Sequence, residues 1–257
     1  MTAATLLGIP AHAIPAVTAA EMAGVDRAAI EIFGITILQM MEQAGSHLAE
    51  VVRRELGGDL RGRSVVVVAG PGNNGGGGLA AARHLANRGA RVRVILASPA
   101  RQVTEPGRHQ LATLLAMGIE CCVMTYDLPD DELRAALAAA DMVVDAILGY
   151  GLQGSARSEP ARLIGFVNGA GRPTVSLDLP SGMNPDTGRA AGVAVSATAT
   201  LTLALPKTGL LTEPGRVRSG RIYVGDLGLP VALYASLGID LGTPFGADRI
   251  VRLDHTR

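Results

Sequence analysis

Two aspartates, a glycine-rich run and one lysine have residue types and spacing suited to chemistry on a small charged ligand. Asp145 closes the apolar run Met142-Val143-Val144 and leads into Ala146-Ile147-Leu148-Gly149-Tyr150-Gly151-Leu152-Gln153-Gly154. Asp178 closes Thr174-Val175-Ser176-Leu177 and leads into Leu179-Pro180-Ser181-Gly182. Carboxylates in such apolar settings are costly to bury unless a cation, a hydrogen-bond network or a catalytic task compensates their charge; the plainer alternative is that each caps the loop it opens. Gly70-Pro71-Gly72-Asn73-Asn74-Gly75-Gly76-Gly77-Gly78 follows Ser64-Val65-Val66-Val67-Val68-Ala69. Strand, glycine loop, helix is the order that points backbone N–H groups and a helix N-terminus at an anionic or phosphate-bearing ligand. Lys207, in Ala204-Leu205-Pro206-Lys207-Thr208-Gly209, adds a positive group to the same crevice unless it is an ordinary exposed loop lysine. His12, His47, His109 and His255 share no metal-site spacing, and His84 reads as a helix-face residue. There is no G-x-S-x-G elbow, and Cys121 and Cys122 lack a partnering pattern, so nucleophilic catalysis has no support.

Elements that position these residues follow from periodicity and punctuation. Thr18-Ala-Ala-Glu21 is a capping box, which predicts a helix from Ala19 to Phe33 ended by Gly34. Leu38, Met41, Gly45, Leu48 and Val52 recur at helical spacing and predict a second helix from Thr36 to Leu56. Thereafter strands at 64–69, 91–97, 119–124, 141–147 and 173–178 alternate with helices at 78–88, 105–117, 130–140 and 158–168. Strand-like runs at 198–205 and 221–224 and a closing helix at 230–237 complete the pattern. The alternation implies an α/β fold, a three-layer Rossmann-like sandwich with a mostly parallel central sheet. Its expected limits are a loose tail at 1–17, one domain at 18–240 and a tail at 241–257.

Composition narrows the partners. Basic and acidic residues number 23 each, so no electrostatic footprint for nucleic acid or an anionic membrane exists, and the expected ligand is a small-molecule nucleotide. No run approaches twenty apolar residues, and the N-terminus lacks the basic region of a signal peptide. Adjacent cysteines form no disulfide framework, which suits a reducing cytoplasm.

Gly70-Pro71-Gly72-Asn73-Asn74-Gly75 satisfies G-x-G-x-x-G, yet the second strand ends Ile95-Leu96-Ala97-Ser98-Pro99 without the carboxylate that dinucleotide-dependent dehydrogenases place there. Arg101 is the only candidate for a 2′-phosphate, and the four glycines are more than that turn needs. The ordered motifs instead resemble those of the NAD(P)H-hydrate epimerases, the YjeF N-terminal domain-like family. Thr18-Ala-Ala-Glu21-Met22 is similar to its T-x-x-E-M helix and Met40-Met41-Glu42-Gln43-Ala44-Gly45 to its L-M-E-x-A-G helix. Gly70 to Gly78 resembles G-P-G-N-N-G-G-D-G, Asp145 to Gly151 D-A-x-x-G-x-G, Asp178 to Gly182 D-x-P-S-G, and Ala-Leu-Pro-Lys207 A-x-P-K.

The resemblance implies an isomerase that interconverts the R and S epimers of hydrated NADH and NADPH, a nicotinamide nucleotide repair reaction. It implies catalytic Asp178 and Asp145, and substrate contacts from Asn73, Asn74, Gly75, Gly76 and Gly77, from Gly149, Tyr150, Gly151, Leu152, Gln153, Gly154 and Ser155, and from Lys207. One K+ per subunit is implied, held by Asn74, Asp145 and Ser181, as is a homodimer; Ile37, Met40 and Met41 supply more apolar surface than one helix face needs and point to the N-terminal helices as its interface. The dehydratase domain that some members carry after this one is not expected, since only a short tail follows Val224. One residue departs from the pattern: Gly77 stands where the family has aspartate. The alternative is therefore a YjeF N-terminal fold recruited to a different small-molecule reaction or to non-catalytic nucleotide binding.

Overall fold

The computed structural model describes residues 8–124, 127–246 and 248–254. Among these residues nine strands, β1 (Gly8–Pro10), β2 (Ser64–Ala69), β3 (Arg91–Leu96), β4 (Glu120–Val123), β5 (Met142–Ala146), β6 (Thr174–Leu177), β7 (Ala199–Leu203), β8 (Arg221–Gly225) and β9 (Ile250–Asp254), form one sheet in the order β1-β9-β8-β7-β6-β5-β2-β3-β4. Among its neighbours only β8 and β9 run antiparallel. Around it lie α1 (Ala19–Glu31), α2 (Ile37–Glu55), α3 (Asn73–Asn87), α4 (Glu105–Ala116), α5 (Asp130–Ala138), α6 (Ser158–Gly169), α7 (Thr208–Leu211), α8 (Glu213–Ser219) and α9 (Val231–Ser236).

The valine strand is buried on both faces, which is why it reads as a continuous apolar run rather than an alternating one. Val65, Val67 and Ala69 pack with Leu48, Val52, Leu79 and Leu114 on one side; Val66 and Val68 pack with Leu133, Leu137, Leu163 and Ile164 on the other. These two half-cores are the outer interfaces of the expected three-layer sandwich. The Thr18–Glu21 capping box is formed in both directions, and a second box, Thr36 with Gln39, starts α2.

Two expected tails are corrected. Residues 8–17 are tied down: β1 pairs with β9, Ile14 and Val17 are buried, and Val17 brackets Lys207 by accepting from the Thr208 N–H and donating to the Pro206 carbonyl, each at 2.9 Å. Residues 250–254 likewise form β9, whose apolar residues Ile250, Val251 and Leu253 are buried. The rest of the 1–17 tail, residues 1–7, lies outside the described residues.

The third correction concerns the glycines. Helix α3 begins at Asn73 and not at 78, so Gly75 to Gly78 occupy its first turns and are all buried. Glycine normally weakens a helix interior by about 1 kcal/mol relative to alanine. Here close approach outweighs that cost: a Cβ on Gly75 would sit 1.9 Å from the Gly70 carbonyl oxygen, and one on Gly78 would sit 2.4 Å from the Ala146 Cβ.

Candidate functional site

Strand order reverses beside β2, whose neighbours are β3 on one side and β5 on the other. The loops leaving β2 and β5 must diverge there, and such a crevice is where open α/β sheets bind ligands. Contact across it is so close that a Cβ on Gly70 would lie 1.9 Å from the Ile147 carbonyl oxygen. A cavity of about 620 Å³ opens at this point, within the range of small-molecule sites. Its floor and rim come from Pro71 to Asn74 and Gly77, from Ile147 to Gln153, and from Leu177, Asp178, Leu203 and Lys207. Its remaining wall, apolar apart from Asp26, comes from α1 and α2, with Met22, Asp26, Ile30, Ile37, Met40, Met41 and Ala44.

Asp178 follows β6 directly and adopts φ 68°, a left-handed conformation uncommon for a non-glycine residue. Leu179 N–H donates to the Leu177 carbonyl at 2.9 Å, closing a γ-turn around Asp178. Ala204, at the end of neighbouring β7, makes the same turn, with φ 59° and a 2.7 Å bond from Leu205 N–H to the Leu203 carbonyl. Strain of this kind costs about 1–3 kcal/mol and persists where surrounding structure fixes it. Here it turns two adjacent parallel strands at the same level.

Lys207 meets Asp178 at that level. Its Nζ donates to Asp178 Oδ1 at 2.5 Å, to the Leu203 carbonyl at 3.2 Å and to Thr202 Oγ1 at 3.3 Å. All three ammonium donors are used, so the fully buried cation is satisfied. The other Asp178 oxygen accepts the Tyr150 backbone N–H at 2.9 Å. Tyr150 places its ring 5.6 Å from Lys207 Nζ and donates its phenol to Asp26 Oδ2 at 2.5 Å. Burial raises the Asp26 carboxyl above its ordinary value, with the phenol hydrogen bond opposing, and burial raises the phenol as well.

Asp145 lies behind this surface. It is fully buried and does not line the cavity. Oδ2 accepts from Ser176 Oγ at 2.7 Å and Ser181 N at 2.9 Å; Oδ1 accepts from Ser181 Oγ at 2.5 Å and Ile147 N at 3.3 Å. Burial still drives its carboxyl above the ordinary value, against the Ser181 hydroxyl and amide, which favour ionisation. Asn74, on the first turn of α3, has a buried Nδ2 without a partner, and a Cβ on Gly149 would come 3.3 Å from its Oδ1 and 3.0 Å from Asp178 Oδ2.

Among residues expected at the site, Asn73, Asn74, Gly77, Gly149, Tyr150, Gly151, Leu152, Gln153, Asp178 and Lys207 line the cavity. Gly75, Gly76, Gly154, Ser155, Asp145 and Ser181 do not: the two glycines face Gly70 and Met41, and Asp145 and Ser181 bond each other beneath the floor. Lys207 is buried rather than a loop lysine in solvent. Met40 and Met41 are buried within their own chain and, with Ile37, wall the cavity. These apolar residues, expected at a homodimer face, line the cavity. Asp26 escaped the sequence reading, although Met22, Asp26 and Ile30 share one face of α1 at spacings of four, which is a signal for a polar group set in an apolar wall.

Comparison with known proteins identifies the family to which this fold belongs. The chain is 40% identical over 243 residues to the NAD(P)H-hydrate epimerase of Dehalogenimonas lykanthroporepellens, covering 94% of each chain. It is 42% identical over 220 residues to the bifunctional NAD(P)H-hydrate repair enzyme Nnr of Moorella thermoacetica, covering 86% of this chain but 42% of that one. It thus spans under half the length of that bifunctional relative. Among solved structures, the yeast protein ynu0 (YNL200c) superposes with a TM-score of 0.79 at 25% identity, covering 93% of this chain and 100% of that one. Residues 37–209, more than half of the chain, match the YjeF-related protein N-terminus family, and with the relatives above this places the chain in that family.

Proposed function

We propose that the chain is an isomerase that interconverts the R and S epimers of hydrated NADH and NADPH. The observation that carries this reading is Asp178: a carboxylate held by a strained turn, a buried lysine and a backbone N–H at the head of a cavity large enough for a small-molecule ligand. Relatives covering nearly the whole chain are named for this activity, and they lend no support to the alternative of a recruited fold.

In the proposed reaction the buried Asp178–Lys207 pair, which shares the Lys207 ammonium proton, delivers that proton through Asp178 to the hydroxyl on C6 of the hydrated ring. The C–O bond breaks, the pair goes to the leaving water, and the ring nitrogen supplies the electrons that make an iminium at C6. The Asp178 carboxylate then stabilises that cation and takes a proton from the water that adds to either face. Lys207 keeps the carboxylate oriented, and the Tyr150 ring and the α1–α2 wall exclude bulk water. Chromatographic separation of the two epimers tests this directly: the protein is expected to accelerate their interconversion well above the spontaneous rate, and no acceleration overturns the reading.

We further propose that K+ binds at Asn74, Asp145 and Ser181. The residues fit such an ion: each offers an oxygen donor, the Asp145 carboxyl is buried, and the Asn74 amide has one buried end without a partner among the described residues, the end its oxygen occupies when the amide is turned to face a cation. Among the described residues no cluster of three His, Cys, Asp or Glu offers a transition-metal alternative. When bound, the ion would compensate Asp145 and fix the loops that carry Asn74 and Leu148. At a hundredfold excess over Kd, binding adds about 2.7 kcal/mol. The melting temperature is therefore expected to be several degrees higher in potassium than in a bulky organic cation, and Asp145→Asn to abolish the difference. Equal stability of the wild type in both salts overturns the site. A reducing, cytoplasmic setting suits Cys121 and Cys122, both free, the first with its thiol pushed up to about 11 by burial.

A further inference from the structure

Tyr150 ties two carboxylates together: its backbone N–H holds Asp178 Oδ2 at 2.9 Å and its phenol holds Asp26 Oδ2 at 2.5 Å. We propose that Asp26 is a positioning residue for this site, fixing Tyr150 and through it the orientation of the Asp178 carboxylate. The inference rests on the epimerase reading for its kinetic part only.

The loop from Leu148 to Gly154 needs such an anchor. Its fixed points near β5 are two bonds between Leu148 and Ser181 Oγ (N–H donating at 2.8 Å, carbonyl accepting at 3.2 Å), the Tyr150 N–H to Asp178 bond, and a local turn in which Leu152 N–H donates to the Gly149 carbonyl at 3.2 Å. Beyond them the Tyr150 phenol crosses the cavity to α1, on the opposite wall. Asp26 is itself held rigidly, because Met22, Val25 and Ala29 on either side of it are buried in the α1 packing surface. A helix-borne acceptor therefore fixes a loop-borne ring, and the ring also flanks Lys207 Nζ. Rigid elements hold reacting groups better than loops do, and small misplacements lower rate more than binding. Asp26 has no established bond to a basic residue that would explain its burial otherwise: its one hydrogen bond among the described residues is to Tyr150.

Asp26→Ala and Tyr150→Phe both remove this tether, and Asp26→Asn keeps an oxygen that accepts the phenol. We expect Asp26→Ala and Tyr150→Phe each to lower kcat about thirtyfold with KM changed less than threefold, and the double variant to be no worse than either. Asp26→Asn is expected to restore most of that loss. Additive single effects, or an Asp26→Asn rate as low as Asp26→Ala, overturn the positioning role, the second by showing that the carboxylate itself takes part. Amide hydrogen exchange of the unliganded protein gives a readout independent of activity: Asp26→Ala and Tyr150→Phe should speed exchange in residues 148–154 and leave β2 unchanged. Unaltered exchange in that loop overturns the tether. Loss of epimerase activity in the wild type, by contrast, overturns only the reading of function.

Discussion

Asp178→Asn is expected to lower kcat for epimer interconversion by about 10²- to 10⁴-fold, the range that a positioned acid/base group contributes. Asparagine is the informative substitution because it tolerates the φ of 68° and retains an oxygen for the Tyr150 N–H. Its cost to the fold has a separate origin. Lys207 is buried, and removing its carboxylate leaves an uncompensated cation, which in buried pairs costs about 3–5 kcal/mol. That corresponds to a fall in melting temperature of roughly 6–20 °C for a domain of this size. Lys207→Met should destabilise similarly for the mirrored reason. The double variant Asp178→Asn/Lys207→Met removes both charges, so its stability should exceed that of either single change while its rate stays at the Asp178→Asn level. Thermal melts beside kinetics thereby separate chemistry from folding. An Asp178→Asn protein that keeps its kcat within tenfold of wild type removes Asp178 from the acid/base role.

How much of this site was legible in the sequence follows from which forces placed each residue. Asp178 and the loop after Asp145 were legible because strand ends are marked by apolar runs that stop at a polar residue, and a parallel sheet puts those ends on one edge. The role of Lys207 was half legible. Its position after a strand is a sequence property, but its burial depends on Val17, 190 positions earlier in the chain, closing over its backbone. Local pattern carries no trace of that contact. The cavity wall from α1 and α2 reads in the sequence only as surplus apolar surface, since periodicity reveals that a face must be covered and not what covers it. Short strands β1 and β9 went unread because three to five residues offer little alternation, and their pairing joins the two ends of the chain. Two carboxylates with similar sequence contexts end in different places: Asp145 points beneath the floor to Ser176 and Ser181, and Asp178 is swung into the cavity by a turn that no composition rule anticipates.

The glycine run gives the sharpest contrast between neighbouring positions. Gly75 and Gly77 both lie in the first turns of α3, but a Cβ on Gly75 would meet the Gly70 backbone at 1.9 Å, and one on Gly77 would meet side chains alone, the Leu177 Cδ2 at 2.8 Å and the Ala44 Cβ at 3.8 Å. Backbone at the switch point cannot yield without opening the crevice, because Gly70 is itself pressed against Ile147. Gly75→Ala should therefore cost about 3 kcal/mol despite the better helix propensity of alanine, lowering the melting temperature by roughly 6–12 °C and weakening ligand binding with it. Leu177 can rotate its far end away, so Gly77→Asp should fold to near wild-type stability. Its carboxylate would enter the cavity between Ala44 and Leu177, supplying the acceptor that the family resemblance implies at this position. A charged hydrogen-bond partner contributes about 1.5–3 kcal/mol, so kcat/KM on hydrated NADH or NADPH should rise roughly tenfold or more. Melting curves and epimerase rates of the two variants side by side test both halves. Equal destabilisation by both substitutions would show that the helix start, and not the backbone contact, demands glycine; a lower kcat/KM for Gly77→Asp would show that this cavity is tuned to a ligand that disfavours a carboxylate at that point.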